Sequence, residues 1–416
     1  MFLKIKMRKG YRHIALWLSS MLMLFCMACG SNGDDSDESP TPQDHRLQIN
    51  IFTPEHPVVT RADDPEPVLV NSNADENVNS LDVWVFVSEV TTNIPSEDVK
   101  FKEGRVVGHL SLDIDKPESF VGGTYQMSVN DDFVNELPKV NVYVTANVKQ
   151  SNTGITLTSN SSETYLKSLV LNGGYFGLYP SLTTQVPSEG LPMSGLLKNQ
   201  EIDATSTPLL KVEDDVKVVR AVSKVRFIFS RTDTGETDEL HINSISLDGN
   251  MIPVEEYLFL EAPTDRYHIG EYFEEATTLA SGLETTAIPT SAYPARYAYD
   301  PNNTNQLKGQ DYEDLIDKGL QGHFSGEEYI KEKPELVELG RYYLRESDKR
   351  LQGKINYTIG SKTDDATFMM FEGDNFTRNH TWIVYGYFTG KETLKVSCVN
   401  VTDWNQTTTN HPVYNW

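Results

Sequence analysis

The sequence is poor in cysteine and in positive charge, and each shortage argues against a class of protein. Three cysteines in 416 residues, at positions 26, 29 and 398, cannot form a disulfide framework. Lys and Arg number 36 against 60 Asp and Glu, which gives a net charge of −24. Because such a surface repels phosphate groups, the composition argues against a nucleic-acid partner and against electrostatic binding to anionic lipid.

Catalytic motifs are also missing. The sequence contains no His-Glu-x-x-His, Walker A, Gly-x-Gly-x-x-Gly or Gly-x-Ser-x-Gly pattern. Residues 322–326 (Gly-His-Phe-Ser-Gly) come near the last of these, but the serine is displaced by one position. The nine histidines are scattered and lack the spacing of zinc ligands. The sequence therefore predicts a protein that is not an enzyme and holds no cofactor or metal.

No apolar run reaches the roughly 18 residues that a membrane-spanning helix needs. Five basic residues in the first twelve are followed by a mostly apolar stretch, residues 14–28, which is the pattern of a signal peptide. The stretch ends with Ala28 before Cys29 and resembles a bacterial lipobox, with Cys26 where leucine is usual. Cys29 is thus predicted to be acylated. A redox role for the Cys-x-x-Cys spacing is disfavoured, because no βαβ pattern follows.

The residues after Cys29 form an acidic tether and then one isolated strand. Residues 31–39 are small, polar and acidic, as in a solvated tether, and they resemble the acidic runs of surface-exported Bacteroidetes lipoproteins. Leu47, Ile49 and Ile51 alternate with polar residues, which predicts a short β-strand ended by Pro54. Arg61 follows in polar, loop-like sequence, the kind of segment that proteases cut.

From residue 81 the pattern is typical of β-strands. Residues 81–87 and 140–146 are rich in β-branched and aromatic side chains, and residues 106–112 and 124–129 predict weaker strands. Strands are short, turns recur, and long helical periodicity is almost absent. This combination predicts an all-β sandwich fold and not a βαβ fold.

The second half continues the strand pattern around a less regular stretch. Val225, Phe227 and Phe229 share one strand face, so Arg226 is predicted on the opposite face of a half-buried strand. Residues 261–340 read as a long insertion with a short helix over 311–319. Residues 378–380 (Arg-Asn-His) are interpreted as a turn with strand-edge hydrogen bonds, and Cys398 as a small buried residue in a strand.

Seven segments, in this order and behind a lipobox, resemble the fimbrillin family, the subunits of the type V pili of Bacteroidetes. The segments are residues 81–87, 142–148, 191–195, 219–225, 341–347, 376–382 and 399–404. The chain has Glu346-Ser347 where the family typically has Glu-Asn.

The resemblance implies an organisation of the whole chain. Its fold is two tandem transthyretin-like β-sandwich domains, the second with the long irregular insertion. The predicted parts are a lipoprotein signal peptide (residues 1–28), a tether and propeptide with one removable strand (29–61), the two sandwiches (62–212 and 213–404) and a tail (405–416).

The resemblance also implies a function in adhesion. The precursor would be exported as a lipoprotein of the outer membrane, and an Arg-specific protease would cut after Arg61, leaving Ala62 as the first residue. The trimmed subunit would join a cell-surface fimbrium with other copies or related subunits, by donor-strand exchange. The expected donor is the C-terminal segment, with its anchors Val399, Val401, Trp404, Val413, Tyr414 and Trp416. The alternative is that these side chains cover the chain's own core, Trp404 above all.

Two other functions stay open at this point. If Arg61 is not cut, the lipid is retained and the chain is the anchor subunit at the base of the fimbrium. A rival from another class is a surface glycan-binding lipoprotein, which would keep the lipid on Cys29 and bind sugars on exposed Trp and Tyr side chains.

Overall fold

Short strands with alternating buried and exposed residues make up most of the chain in the computed structural model. The residues that the structure describes are 45–53, 77–90, 95, 97–117, 120, 122–171, 186, 188–232, 238–260, 271–291, 296–298, 310–320, 335–369, 376, 378–388 and 394–401.

A first group of strands lies before residue 221. They are β1 (His45–Phe52), β2 (Ser80–Glu89), β3 (Val106–Asp113), β4 (Gly122–Val129), β5 (Lys139–Ala146), β6 (Val170–Leu171), β7 (Met193–Gln200), β8 (Ile202–Asp203), β9 (Leu209–Val212), β10 (Val216–Lys217) and β11 (Val219–Arg220). The helices among them are α1 (Asp131–Glu136), α2 (Gln150–Thr153) and α3 (Glu163–Lys167).

All of these strands except β6 form two sheets that share one core. The first sheet has the order β10-β1-β9-β8, with β4 also paired to β1, and the second has the order β11-β7-β5-β2-β3. Apolar side chains of both sheets pack into one cluster, which includes Leu47 and Ile49 from the first sheet and Val83, Val85 and Val144 from the second. The chain therefore folds here as a β-sandwich.

The remaining strands follow residue 221. They are β12 (Ser223–Thr232), β13 (Leu240–Leu247), β14 (Glu256–Tyr257), β15 (Thr277–Ser281), β16 (Thr290–Ser291), β17 (Val337–Leu344), β18 (Gln352–Ile359), β19 (Lys362–Met369), β20 (Thr381–Phe388) and β21 (Leu394–Val401), with one helix, α4 (Gln310–Leu320). Most of them form a second pair of sheets. One sheet has the order β16-β12-β20-β21, with β17 also on β12, and the other has the order β15-β13-β18-β19. β14 pairs with β6 in a separate two-stranded sheet.

The fold class agrees with the prediction from the sequence. The chain is all-β and sandwich-like, and the predicted helix over residues 311–319 is confirmed as α4. The short strands β10 and β11 pair with strands of the first two sheets, and β12 opens the second pair. The division into tandem transthyretin-like domains, with its boundary between residues 212 and 213, stays a prediction.

The prediction that Arg226 lies on the solvent-exposed face of a half-buried strand is wrong, because that face is also buried. The Arg226 side chain is only 1% exposed, because α4 covers that face of β12 with an apolar cluster that includes Ile228, Tyr312 and Ile316. The alternation of Val225, Phe227 and Phe229 gives the correct faces but does not show that both are buried.

Three carboxylates surround the buried guanidinium of Arg226. Its Nη1 donates to Glu313 at 2.8 Å, Nη2 to Asp317 at 2.7 Å and Nε to Glu338 at 2.9 Å. Burial alone would lower the pKa of Arg226, but the nearby carboxylates raise it well above its ordinary value. Burial raises the pKa of Asp317, whereas for Glu338 the effect of burial is outweighed by Arg226 and the pKa is lowered. This ion cluster connects α4 to the sheet that contains β12.

Replacing Arg226 by Met is expected to lower the free energy of unfolding by about 3–5 kcal/mol at pH 7, because buried carboxylates lose their main cationic partner. The control is Arg341→Met, which removes a partly exposed guanidinium that also bonds Glu338 and should cost less than about 1 kcal/mol. Urea denaturation of both variants measures the difference. Equal losses of unfolding free energy in the two variants would contradict the conclusion that the ion cluster of Arg226 holds α4 on the sheet.

Candidate functional site

The first strand, β1, is buried on one face along its whole length. Leu47, Ile49 and Ile51 are at most 1% exposed, and the residues between them point out of the sandwich. The sequence pattern at this strand is thus confirmed, and Pro54, which cannot donate to a ladder, follows it.

One edge of β1 pairs with β4 over its full length. The register runs antiparallel from His45 opposite Val129 to Phe52 opposite Gly122. Gly122 has a φ of +145°, and a Cβ there would lie 2.4 Å from Cδ1 of Phe52 and 2.6 Å from the carbonyl oxygen of Ile51. Only glycine therefore allows β4 to approach the end of β1 so closely.

The other edge of β1 pairs in parallel with two strands in succession. β9 lies opposite the stretch from Arg46 to Gln48, and β10 lies opposite Ile51 and Phe52. Flanking backbone bonds extend both ladders: the Arg46 amide donates to a carbonyl at 3.0 Å, and the Phe52 carbonyl accepts from the Val218 amide at 2.9 Å. β1 is thus an interior strand with hydrogen bonds on both edges.

Side-chain hydrogen bonds also connect β1 to its neighbours on both edges. The Asn50 amide nitrogen donates to Asp215, beside β10, at 2.8 Å, and its oxygen accepts from Thr124 of β4 at 3.0 Å. At the start of the strand, Nε2 of His45 lies 3.3 Å from a carboxylate oxygen of Asp131, the first residue of α1.

A small cavity lies beside the end of β4 that pairs with the start of β1. Its volume is about 220 Å³. It is lined by Phe101, Arg105, Val106, Val107, Ser128, Val129, Asn130 and Phe133.

Removing β1 would leave a groove between β4 and the β9–β10 edge. Burial of three large aliphatic side chains contributes about 5–9 kcal/mol at 1.5–3 kcal/mol each, and each ladder hydrogen bond adds about 1 kcal/mol. A whole domain is stable by only about 5–15 kcal/mol. An empty groove would therefore cost a large part of the stability, and another extended segment is needed to fill it.

The structure places only some of the predicted assembly residues. Val399 lies opposite Ile383 and Val401 opposite Thr381, in the ladder between β20 and β21 of the same chain. Their donor role stays a prediction that competes with this internal pairing. The other predicted residues lie outside the described ones: Cys29, Arg61, Ala62, Trp404, Val413, Tyr414 and Trp416.

Sequence reasoning missed two contributors to the site and the fold. The first is Gly122, whose signal was a Gly-Gly pair at the start of a strand pattern. The second is Arg378, interpreted as part of a turn with strand-edge bonds. Arg378 does lie in a turn, but its guanidinium is also buried and forms an ion pair with Glu346 at 2.7 Å. The glutamate comes from a distant part of the chain, so no local pattern could show the pair.

The aromatic side chains bear on the glycan-binding alternative. Trp84 and Trp382 are at most 1% exposed. Within the described ranges, Tyr165, at 39%, is the most exposed Tyr or Trp. This part of the chain thus presents no surface cluster of aromatic rings for sugars to stack on.

The described residues show neither a metal-binding cluster nor a membrane-spanning helix. They contain no group of three or more His, Cys, Asp and Glu side chains arranged to hold a metal ion. No helix within them is both long enough and apolar enough to cross a bilayer.

No family model and no curated protein matches the chain. Solved structures do. A candidate cell adhesion protein from Parabacteroides distasonis is 12% identical with a TM-score of 0.46, over 88% of this chain and 99% of that one. The tip fimbrial protein Mfa3 from Porphyromonas gingivalis, truncated at its C-terminus, is 14% identical with a TM-score of 0.47, over 87% and 100%.

A third similar structure is a fimbrial assembly protein from Parabacteroides distasonis. It is 12% identical with a TM-score of 0.38, over 87% of this chain and 96% of that one. These three similar structures are fimbrial and cell adhesion proteins, the class that the sequence resemblance names.

The buried face of β1 gives a direct test of this site. Ile49→Ala in the full chain should lower the free energy of unfolding by about 2–5 kcal/mol, because it leaves a cavity in the shared core. Gln48→Ala, next to it on the outward face, should cost less than about 0.5 kcal/mol. Urea denaturation of both variants measures the contrast, and similar losses would show that β1 is not seated as described.

Proposed function

We propose that the chain is a structural subunit of a cell-surface fimbrium, which polymerises by donor-strand exchange and supports adhesion. One observation carries the proposal. The strand that precedes the polar sequence around Arg61 is an interior strand, paired on both edges and buried on one face. A cut after Arg61 would turn an essential strand into a separate, replaceable peptide.

Cleavage after Arg61 is the first step of the proposed maturation. It breaks the covalent link between β1 and the rest of the fold but leaves all the strand's contacts in place. Because those contacts are worth much of a domain's stability, the cut subunit keeps β1 bound and stays folded. The groove is thus protected from nonspecific strand addition until a donor arrives.

Exchange then replaces β1 by a segment of another subunit. The parallel edge is divided into two blocks, because β9 pairs only as far as Gln48 and β10 begins at Ile51. On this edge a donor can therefore displace β1 from one block before the other. Its alternate residues must be apolar to occupy the positions of Leu47, Ile49 and Ile51.

The proposed donor is the tail, residues 405–416. Val399 and Val401 already pair with β20, so their use would require β21 to leave its own sheet. In an extended tail Tyr414 and Trp416 share one face, and Val413 lies on the other. The two aromatic side chains are the proposed anchors of the junction.

The lipid on Cys29 gives the precursor its proposed place on the outer membrane. Cleavage after Arg61 by an Arg-specific protease separates the folded subunit from that lipid and releases it for assembly. A copy that is not cut would keep its lipid and serve as the anchor of the fibre.

Mass spectrometry of purified fibres tests the processing step. Subunits in the fibre are expected to begin at Ala62 and to lack the peptide of β1, and Arg61→Ala is expected to abolish polymerisation. Arg46→Ala is the control, since it removes an exposed arginine from the same discarded segment and should leave assembly unchanged. Fibres whose subunits retain β1 would contradict strand exchange, whereas an acylated Cys29 only at the fibre base would identify an anchor.

Deleting residues 405–416 tests the donor. The variant is expected to yield folded monomers and no polymer, as measured by size-exclusion chromatography and circular dichroism. As a finer comparison, Trp416→Asp should prevent polymerisation because it puts a charge into an apolar groove, whereas Asn415→Asp adds the same charge on the opposite face and should not. Normal fibres from the deletion variant would remove the tail from the donor role.

A further inference from the structure

One short stretch of chain connects the two pairs of sheets by being buried in both. We call residues 253–259 the bridging segment. Its strand β14 pairs antiparallel with β6, and the Leu258 amide donates to the Leu169 carbonyl at 2.9 Å. Leu258 and Phe259 are buried in a cluster with Trp84 and Tyr143, and the rings of Phe259 and Tyr143 lie 5.1 Å apart.

Arg378 holds the bridging segment from the side of the second pair of sheets. Its Nη1 donates to the Leu258 carbonyl at 2.9 Å and its Nη2 to the Tyr257 carbonyl at 2.6 Å. Nε and Nη2 also donate to Oε1 of Glu346, at 2.9 and 2.7 Å. Every nitrogen of this guanidinium is therefore engaged, either by the segment or by Glu346.

Glu256 lies in the middle of the bridging segment and is fully buried. Its Oε2 accepts from the backbone amide of Glu346 at 2.9 Å, and its Oε1 has no hydrogen-bond partner among the described residues. The charged groups around it are Glu346, Arg345 and Arg378, with Glu255 next to it in the chain. Nη1 of Arg345 donates to the carbonyl oxygen at position 253.

Burial favours the uncharged form of the Glu256 carboxyl group. Burial raises its pKa from an ordinary 4.5 to about 8, since Arg378 and Arg345 only partly offset the burial and Glu346 adds repulsion. Protonation of this carboxyl group removes the need to bury a second negative charge beside Glu346. Loss of that proton would leave a buried carboxylate with a single hydrogen bond.

We propose that Glu256 is a proton-operated lock between the two pairs of sheets, in which protonation keeps the bridging segment seated and deprotonation releases it. The sandwich cores stay folded on release, because neither of their apolar clusters contains a residue of the segment. The proposal goes beyond strand exchange and does not rest on it.

The sign of the effect follows from the two protonation states. The seated segment holds its proton up to about pH 8, whereas a released segment loses it near 4.5. The equilibrium constant for burial of the bridging segment is therefore largest below about pH 5. It falls by up to tenfold per pH unit until about pH 8 and does not change above that pH.

Hydrogen exchange of the full chain, followed by mass spectrometry from pH 5 to pH 9 and corrected for intrinsic exchange rates, measures the seating. Protection of peptides covering residues 253–259 against exchange should fall by up to tenfold per pH unit until about pH 8. Peptides of β5 and β18 should keep their protection over the whole range. Glu256→Gln should stay fully protected throughout. The control Glu255→Gln, a neighbour that is only partly buried, should behave like the unmodified chain.

Two results would overturn the lock. One is constant protection of the segment in the unmodified chain between pH 5 and pH 8, and the other is an unchanged pH dependence in Glu256→Gln. Should that variant fail to fold, infrared spectroscopy of the unmodified chain decides. A buried, protonated carboxyl band must be present at pH 7 and disappear above pH 8, and its absence at pH 7 overturns the proposal.

Discussion

An interior strand must have hydrogen-bond partners on both edges, and this constraint governs β1 and everything proposed for it. The backbone of β1 meets β4 on one edge and β9 and β10 on the other, while its apolar face closes the core of the first sandwich. These partners do not depend on which chain supplies the strand. Any extended segment with apolar residues at alternate positions satisfies them, which is why an interior strand near a chain end is suited to exchange.

The second pair of sheets contains an interior strand of the same kind. β12 pairs antiparallel with β17 on one edge and parallel with β20 on the other, as β1 does with β4 and with β9 and β10. β12 lies in the middle of the chain, however, and α4 covers its outer face through the ion cluster of Arg226. The two interior strands therefore have similar pairing but differ in their position in the chain and in what covers them, and β1 precedes the proposed cleavage site at Arg61.

The sequence predicts the features whose cause is local. The alternation of Leu47, Ile49 and Ile51 identifies β1, and the pattern over residues 311–319 identifies α4. Features that depend on distant partners were not predictable. The strands beside β1 come from beyond residue 120, and the helix that buries Arg226 begins at Gln310. Arg378 looked like a turn residue because Glu346 and the bridging segment adjoin it only in the folded chain.

The two connections differ in their chemistry. At β1 the contacts are backbone ladders and aliphatic side chains, which accept substitutes of similar pattern. At the bridging segment they include the buried ion pair of Arg378 and Glu346, and a buried charge tolerates very few partners, because any misplaced neighbour leaves it uncompensated. Arg378, which donates to the carbonyl oxygens of Tyr257 and Leu258, therefore restricts the arrangement in which the segment is buried. The strand exchange proposed for β1 would leave this connection to the second sandwich in place, because β14 pairs with β6 and not with β1.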